Sequence, residues 1–126
     1  MYLILTNNPL VREKMGKGHR ILYRDTSIEE IFGEALNLVC EGHKLLSHPL
    51  SGSVKPVEMP YKSILLEEKK KECDQEGIRL LMNARDACGK FRDVRAYYDE
   101  RLLRDFREID YSLIRSAVDS ADVINF

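Results

Sequence analysis

The chain has 126 residues, 44% of them hydrophobic and 33% charged, with a formal net charge of −1. That length fits a single globular domain able to bury a core without disulfides or metal. The near-neutral charge lacks the basic footprint of a nucleic-acid binder or of a protein held on an anionic membrane, and no apolar run reaches the ~20 residues that cross a bilayer.

Residues 2–5, Tyr-Leu-Ile-Leu, predict a short strand. A run without alternation is the mark of a strand buried on both faces. Thr6-Asn7-Asn8-Pro9 stops it. Residues 10–18, with Gly16 and Gly18, read as a turn or a short helix, and Ile21-Leu22-Tyr23 as a second strand. Thr26 or Ser27 caps the clearest helix, since Glu29 and Glu30 stand at capping-box spacing. Its stripe is Ile28, Ile31, Phe32, Ala35, Leu36, Val39 and Cys40, and Gly42 is placed to end it.

Lys44 to Ser47 predict a third strand, followed by a loop of unusual composition: His48, Pro49, Ser51, Gly52, Ser53, Lys55, Pro56 and Pro60. Ser63 to Leu66 make a fourth strand, and the charged run Glu67 to Lys71 reads as a solvated turn. Asp74 caps a helix over about 75–92, with Ile78, Leu81, Met82, Cys88 and Phe91 inward. A last pattern, Leu102, Leu103, Phe106, Ile109, Leu113, Ile114, Ala117 and Val118, predicts a C-terminal helix that Asp110-Tyr111-Ser112 can break in two.

The order β-β-α-β-β-α-α predicts one α/β domain over residues 1–126. Its architecture is a three-layer sandwich with a short four-stranded sheet, at least partly parallel, and C-terminal helices. A right-handed crossover through residues 27–42 is expected to join strands two and three. The N-terminus lacks a basic region and a long apolar segment, which points to the cytoplasm. Cys40, Cys73 and Cys88 form no CxxC pair, so the expectation is small buried hydrophobes at Cys40 and Cys88, with Cys73 among charges and open to solvent.

In open α/β sheets ligands bind beyond the carboxyl ends of strands. Two polar loops leave strands there: Thr6-Asn7-Asn8 and the segment from Ser47 through His48, Ser51, Gly52 and Ser53, with Lys55 beyond. If the first and third strands run parallel and close, the loops meet. Hydroxyls, amides, an imidazole and a lysine beside a glycine then make a cradle for a small anionic or polar ligand. The plain alternative is that Asn7 and Asn8 hydrogen-bond the turn and Ser51-Gly52-Ser53 is only a tight loop. Neither a P-loop nor GxGxxG nor GxSxG is present, and no motif calls for a cofactor. His48 is the candidate general acid or base, while His19 and His43 follow glycines at element edges and read as structural or exposed. Three scattered histidines do not argue for a metal.

Three stretches carry a family resemblance. Residues 5–11 (LTNNPLV), residues 42–63 (GHKLLSHPLSGSVKP-x-x-x-PYKS) and residues 105–114 (DFREIDYSLI) resemble the GrdX proteins, in the family's order. The resemblance implies a small cytoplasmic protein of anaerobic, amino-acid-fermenting bacteria, an accessory of glycine, sarcosine and betaine reductase systems. It brings no catalytic residues with it. Three functions therefore compete: a module binding a small polar or anionic metabolite; a small hydrolase or transferase using His48; and a docking module for a reductase component or a second copy, through Tyr97, Tyr98, Phe106 and Tyr111. The arginines from Arg79 to Arg107 are interleaved with acids and read as a solvated face rather than a nucleic-acid surface.

Overall fold

A computed structural model describes residues 2–49, 59–87 and 94–124. Tyr2–Thr6 form β1, every residue of it buried, and Pro9–Met15 form α1. Arg20–Tyr23 form β2 and Ile28–Cys40 form α2, whose N-cap Ser27 accepts a hydrogen bond from the Glu30 amide. His43–Leu45 form β3, Ser63–Lys70 β4 and Gln75–Ala87 α3. A 3-10 turn at Val94–Tyr97 precedes the long α4, Glu100–Ile124. Gly42 ends α2 with φ at +114°, and its carbonyl accepts from the Lys71 amide at 2.8 Å. A side chain there would meet the Lys71 carbonyl at 2.5 Å, so the position requires glycine.

The sheet order is β2-β1-β4-β3. β1 and β2 are parallel, with Leu3 opposite Arg20 and Thr6 opposite Tyr23. β4 is antiparallel to both its neighbours, pairing Leu5 with Ile64 and Leu45 with Leu66. Thus β1, β2 and β3 all run one way and β4 the other. Alternate residues of β1 serve opposite faces. Leu3 and Leu5 pack with Phe32, Ile31 and Ala35 of α2 and with Leu81 and Ala84 of α3. Tyr2 and Ile4 pack with Val11 and Met15 of α1 and with Ile114 and Val118 of α4. The result is the expected three-layer α/β sandwich around a mixed four-stranded sheet.

Several expectations are corrected. Residues 9–15 take the short-helix alternative, with Asn8 as cap and Pro9 at its first position, and what is corrected is the element order, which gains a helix between the first two strands. Strand β4 runs on through Glu67 to Lys70, which the charge run disguised as a turn. These side chains lie half-buried or in solvent where the strand outruns the apolar core, and Glu67 pairs with Lys71 at 3.0 Å. Helix α2 does link β2 to β3, but the two stand at opposite edges with β1 and β4 between them. Helix α4 is unbroken through Asp110-Tyr111-Ser112. Cys40 is exposed, not buried, because the last residue of α2 passes beyond the packed stripe; Cys73 is exposed as well. Cys88 and Phe91 lie outside the described residues.

Candidate functional site

Where β1 ends, the backbone leaves the sheet with three polar residues that are fully buried, Thr6, Asn7 and Asn8. Buried polar groups must find partners inside the protein. Asn7 Nδ2 donates to the carbonyls of Thr26, at 2.8 Å, and Pro60, at 3.1 Å, while its Oδ1 accepts from the Lys62 amide at 2.8 Å. Asn7 thereby ties the β1 exit to the segment entering β4 and to the cap of α2. Asn8 Oδ1 accepts from the Leu10 amide at 3.0 Å and so starts α1. Its Nδ2 donates to the Arg107 carbonyl at 2.9 Å and to Asp110 Oδ2 at 3.0 Å. Both asparagine side chains are thus fully engaged within the chain.

Asp110 is the centre of this network. Its Oδ1 accepts from the Ser63 amide at 3.0 Å and its Oδ2 from the Ser63 hydroxyl at 2.7 Å. Since the single Ser63 proton goes to Asp110, the 2.6 Å contact between the Thr6 and Ser63 hydroxyls has Thr6 as donor. Thr6 Oγ1 in turn accepts from the Asn8 amide at 2.9 Å. Asp110 is 2% exposed, and burial raises its pKa above the usual carboxylate range, against the opposing pull of Ser63, Asn8 and the nearby Lys62. One turn earlier Arg107 donates to the Tyr61 hydroxyl at 3.1 Å and pairs with Glu100.

A second structure lies beside β3, toward the opposite end of β4 from Ser63. The Leu46 amide donates to the Leu65 carbonyl at 2.8 Å, and the Leu65 amide to the Ser47 hydroxyl at 3.0 Å, which extends the β3–β4 pairing through side-chain chemistry. His43 is buried and its Nδ1 donates to the Glu67 carbonyl at 2.9 Å, which fixes a tautomer with Nδ1 protonated. Asp74 accepts from the Leu45 amide with one oxygen, at 3.0 Å, and from the Gly77 amide with the other, at 2.9 Å. Between β3 and α4 opens a groove of about 510 Å³. Lys44, Ser47, His48, Glu67, Ser116 and Ser120 give it polar walls, over a floor that includes Leu45, Leu46, Leu113 and Ala117. Its volume falls in the range of small-molecule sites.

The structure thus divides the expected site. Thr6, Asn7 and Asn8 form the buried framework, and His48 is exposed on the groove. Their strands do run the same way, but β4 stands between them. Ser51, Gly52, Ser53 and Lys55 lie outside the described residues. His19 stacks on Tyr2, with ring centroids 5.6 Å apart. Of the four C-terminal aromatics, Tyr98 stacks on Phe106, Tyr111 packs beneath α1, and Tyr97 is 68% exposed. Sequence reasoning missed Ser63 and Asp110. The available signal was Asp110 standing four residues before Ile114, in phase with the buried face of α4. Among the described residues no group of three His, Cys, Asp or Glu side chains is placed to hold a metal ion.

A family model described as GrdX-like protein matches residues 3–119. No curated protein and no solved structure matches the chain.

Proposed function

The chain belongs to the GrdX-like family, and we propose that it is a cytoplasmic accessory protein of amino-acid reductase metabolism that binds a small polar or anionic metabolite. The supporting observation is the groove beside β3. It collects one cation, Lys44, one imidazole, His48, the hydroxyls of Ser116 and Ser120, one turn apart on α4, and the Glu67 carboxylate, whose charge Lys71 offsets at 3.0 Å. The donors among them suit a carboxylate or phosphoryl oxygen, and the Leu and Ala floor suits a methyl or methylene group. Ser51, Gly52, Ser53 and Lys55 follow His48 directly in sequence and supply further donors in this reading. Thr6, Asn7 and Asn8 serve it indirectly, by tying the exit of β1 to the entry of β4, the strand on which β3 pairs.

A thermal-shift screen with glycine, sarcosine, betaine, acetyl phosphate and inorganic phosphate tests the proposal. A ligand at ~100 times its Kd adds about 2.7 kcal/mol to stability, a clear rise in Tm. The expected result is a hit that disappears both in Ser51→Ala/Lys55→Ala and in Lys44→Ala/Ser120→Ala. A hit retained in both double variants would remove this site, and a flat screen would remove the metabolite. Turnover of the hit compound, lost in His48→Gln, would replace binding with catalysis. Association with a reductase component belongs to the same proposal, and co-purification with tagged chain checks it.

A further inference from the structure

Strand β4 carries a charged residue where its packing asks for an apolar one. Alternate residues of a strand share a face. Leu65 faces α4 and packs with Ile4, Ile114 and Val118. Glu67, two residues on, falls on the same face, opposite Tyr2 of β1, which belongs to that cluster too. Its side chain is 18% exposed, and its Oε2 is buried and accepts no hydrogen bond among the described residues. Lys71 Nζ stands 3.0 Å away as an ion pair, out of hydrogen-bond alignment and on a side chain 60% exposed, where water screens it. Asp110, by contrast, accepts from the Ser63 amide, the Ser63 hydroxyl and Asn8 Nδ2. A buried carboxylate oxygen costs stability unless donors reach it, and Glu67 lines the groove beside β3.

The groove therefore presents both signs of charge. Lys44 supplies a cation and Ser116 and Ser120 supply hydroxyls, while Glu67 supplies an acceptor in need of a donor. A plain anion would meet Lys44 and be repelled by Glu67, and a plain cation would fare the other way round. A molecule carrying an ammonium beside a carboxylate satisfies both walls at once. Resting on the groove as the ligand site, we infer that its ligand is a zwitterionic amino acid. The ammonium donates to Glu67 Oε2, and the carboxylate accepts from Lys44 and the α4 hydroxyls. The leucines and Ala117 of the floor fit a short apolar side chain. Glu67 sits on a strand rather than a loop, and its carbonyl is held by His43 Nδ1 at 2.9 Å, so the acceptor is fixed before any ligand arrives.

Isothermal titration calorimetry of the full chain tests this with matched probes. Glycine and alanine are set against acetate and propionate, which lack the ammonium, and against methylamine, which lacks the carboxylate. Glycine or alanine is expected to bind at least about ten-fold more tightly than any of the other three. Glu67→Gln keeps the shape of the side chain and should keep the wild-type circular dichroism. It should weaken the amino acid at least about ten-fold, while acetate and propionate bind as well as before or better. Acetate or propionate binding as tightly as the amino acids, and lost in Lys44→Ala/Ser120→Ala, would overturn the zwitterion and leave the groove as an anion site. Amino-acid binding indifferent to Glu67→Gln would overturn the inference as well. So would silence from all five probes, and the phosphate arms of the thermal-shift screen would then judge the groove separately.

Discussion

Burying Asp110 at the end of the sheet gives the protein a pH dependence whose sign can be worked out. Desolvation raises its folded pKa above the ordinary carboxylate value, while the donors around it only partly compensate. A raised folded pKa contributes stability that is complete below the unfolded value, near ~3.9, and is lost as pH rises through the folded one. Asp110→Asn removes the titration and turns an amide N–H toward Asn8 Nδ2, itself a donor. The variant should therefore be less stable by about 1–3 kcal/mol, the cost of a buried donor left unmatched. Its deficit should be larger at pH 4.5 than at pH 8, read from urea unfolding at each. A deficit that is constant or grows with pH would remove Asp110 as the titrating group. The sequence disclosed half of this network. Thr6, Asn7 and Asn8 stand out as a polar cluster after an apolar strand. Their partner Asp110 lies 102 residues from Asn8, and nothing local announces that pairing. Asp110-Tyr111-Ser112 looks like a helix break because Asp and Ser compete with the backbone for hydrogen bonds. Here the Asp110 side chain is occupied across the fold instead, and the helix runs through.

At the scale of elements, legibility followed the hydrophobic period. The α2 stripe is continuous, so the helix and its cap could be read directly. Strand β4 could not be read to its end, because its outer half carries charge that only the pairing with β1 and β3 explains. Nor does a sequence period show which strand lies beside which, and β4 therefore separates the two loops expected to meet. The start of α3 holds a less visible constraint. Gly77 is buried in the first turn of a helix, where alanine normally improves stability by about 1 kcal/mol. A Cβ there would lie 2.8 Å from Asp74 Cγ and 3.1 Å from Leu45 Cβ. Gly77→Ala must displace the carboxylate that caps α3 and holds β3, so it should destabilise, by about 1–2 kcal/mol. An unchanged or higher Tm would show that the carboxylate can move freely.

For the molecule as a whole, three distant segments converge on one end of the sheet: the exit of β1, the entry to β4 and the middle of α4. Because Asp110, Ser63, Asn8 and Thr6 share their hydrogen bonds, these segments should open together rather than singly, as coupled networks do. The opposite concern is the rim. β3 is an edge strand of three residues, and an edge with open amides recruits strands from other molecules. The Leu45 amide is already taken by Asp74. Asp74→Ala should therefore do more than lower Tm by the ~1 kcal/mol of a lost cap. It should shorten the lag of thioflavin-positive aggregation at a temperature where both proteins remain folded, while Gln75→Ala on the exposed side of the same turn leaves the lag unchanged. One carboxylate thus works as a gatekeeper: it begins a helix, and in doing so it denies the sheet a fifth strand from a neighbouring molecule.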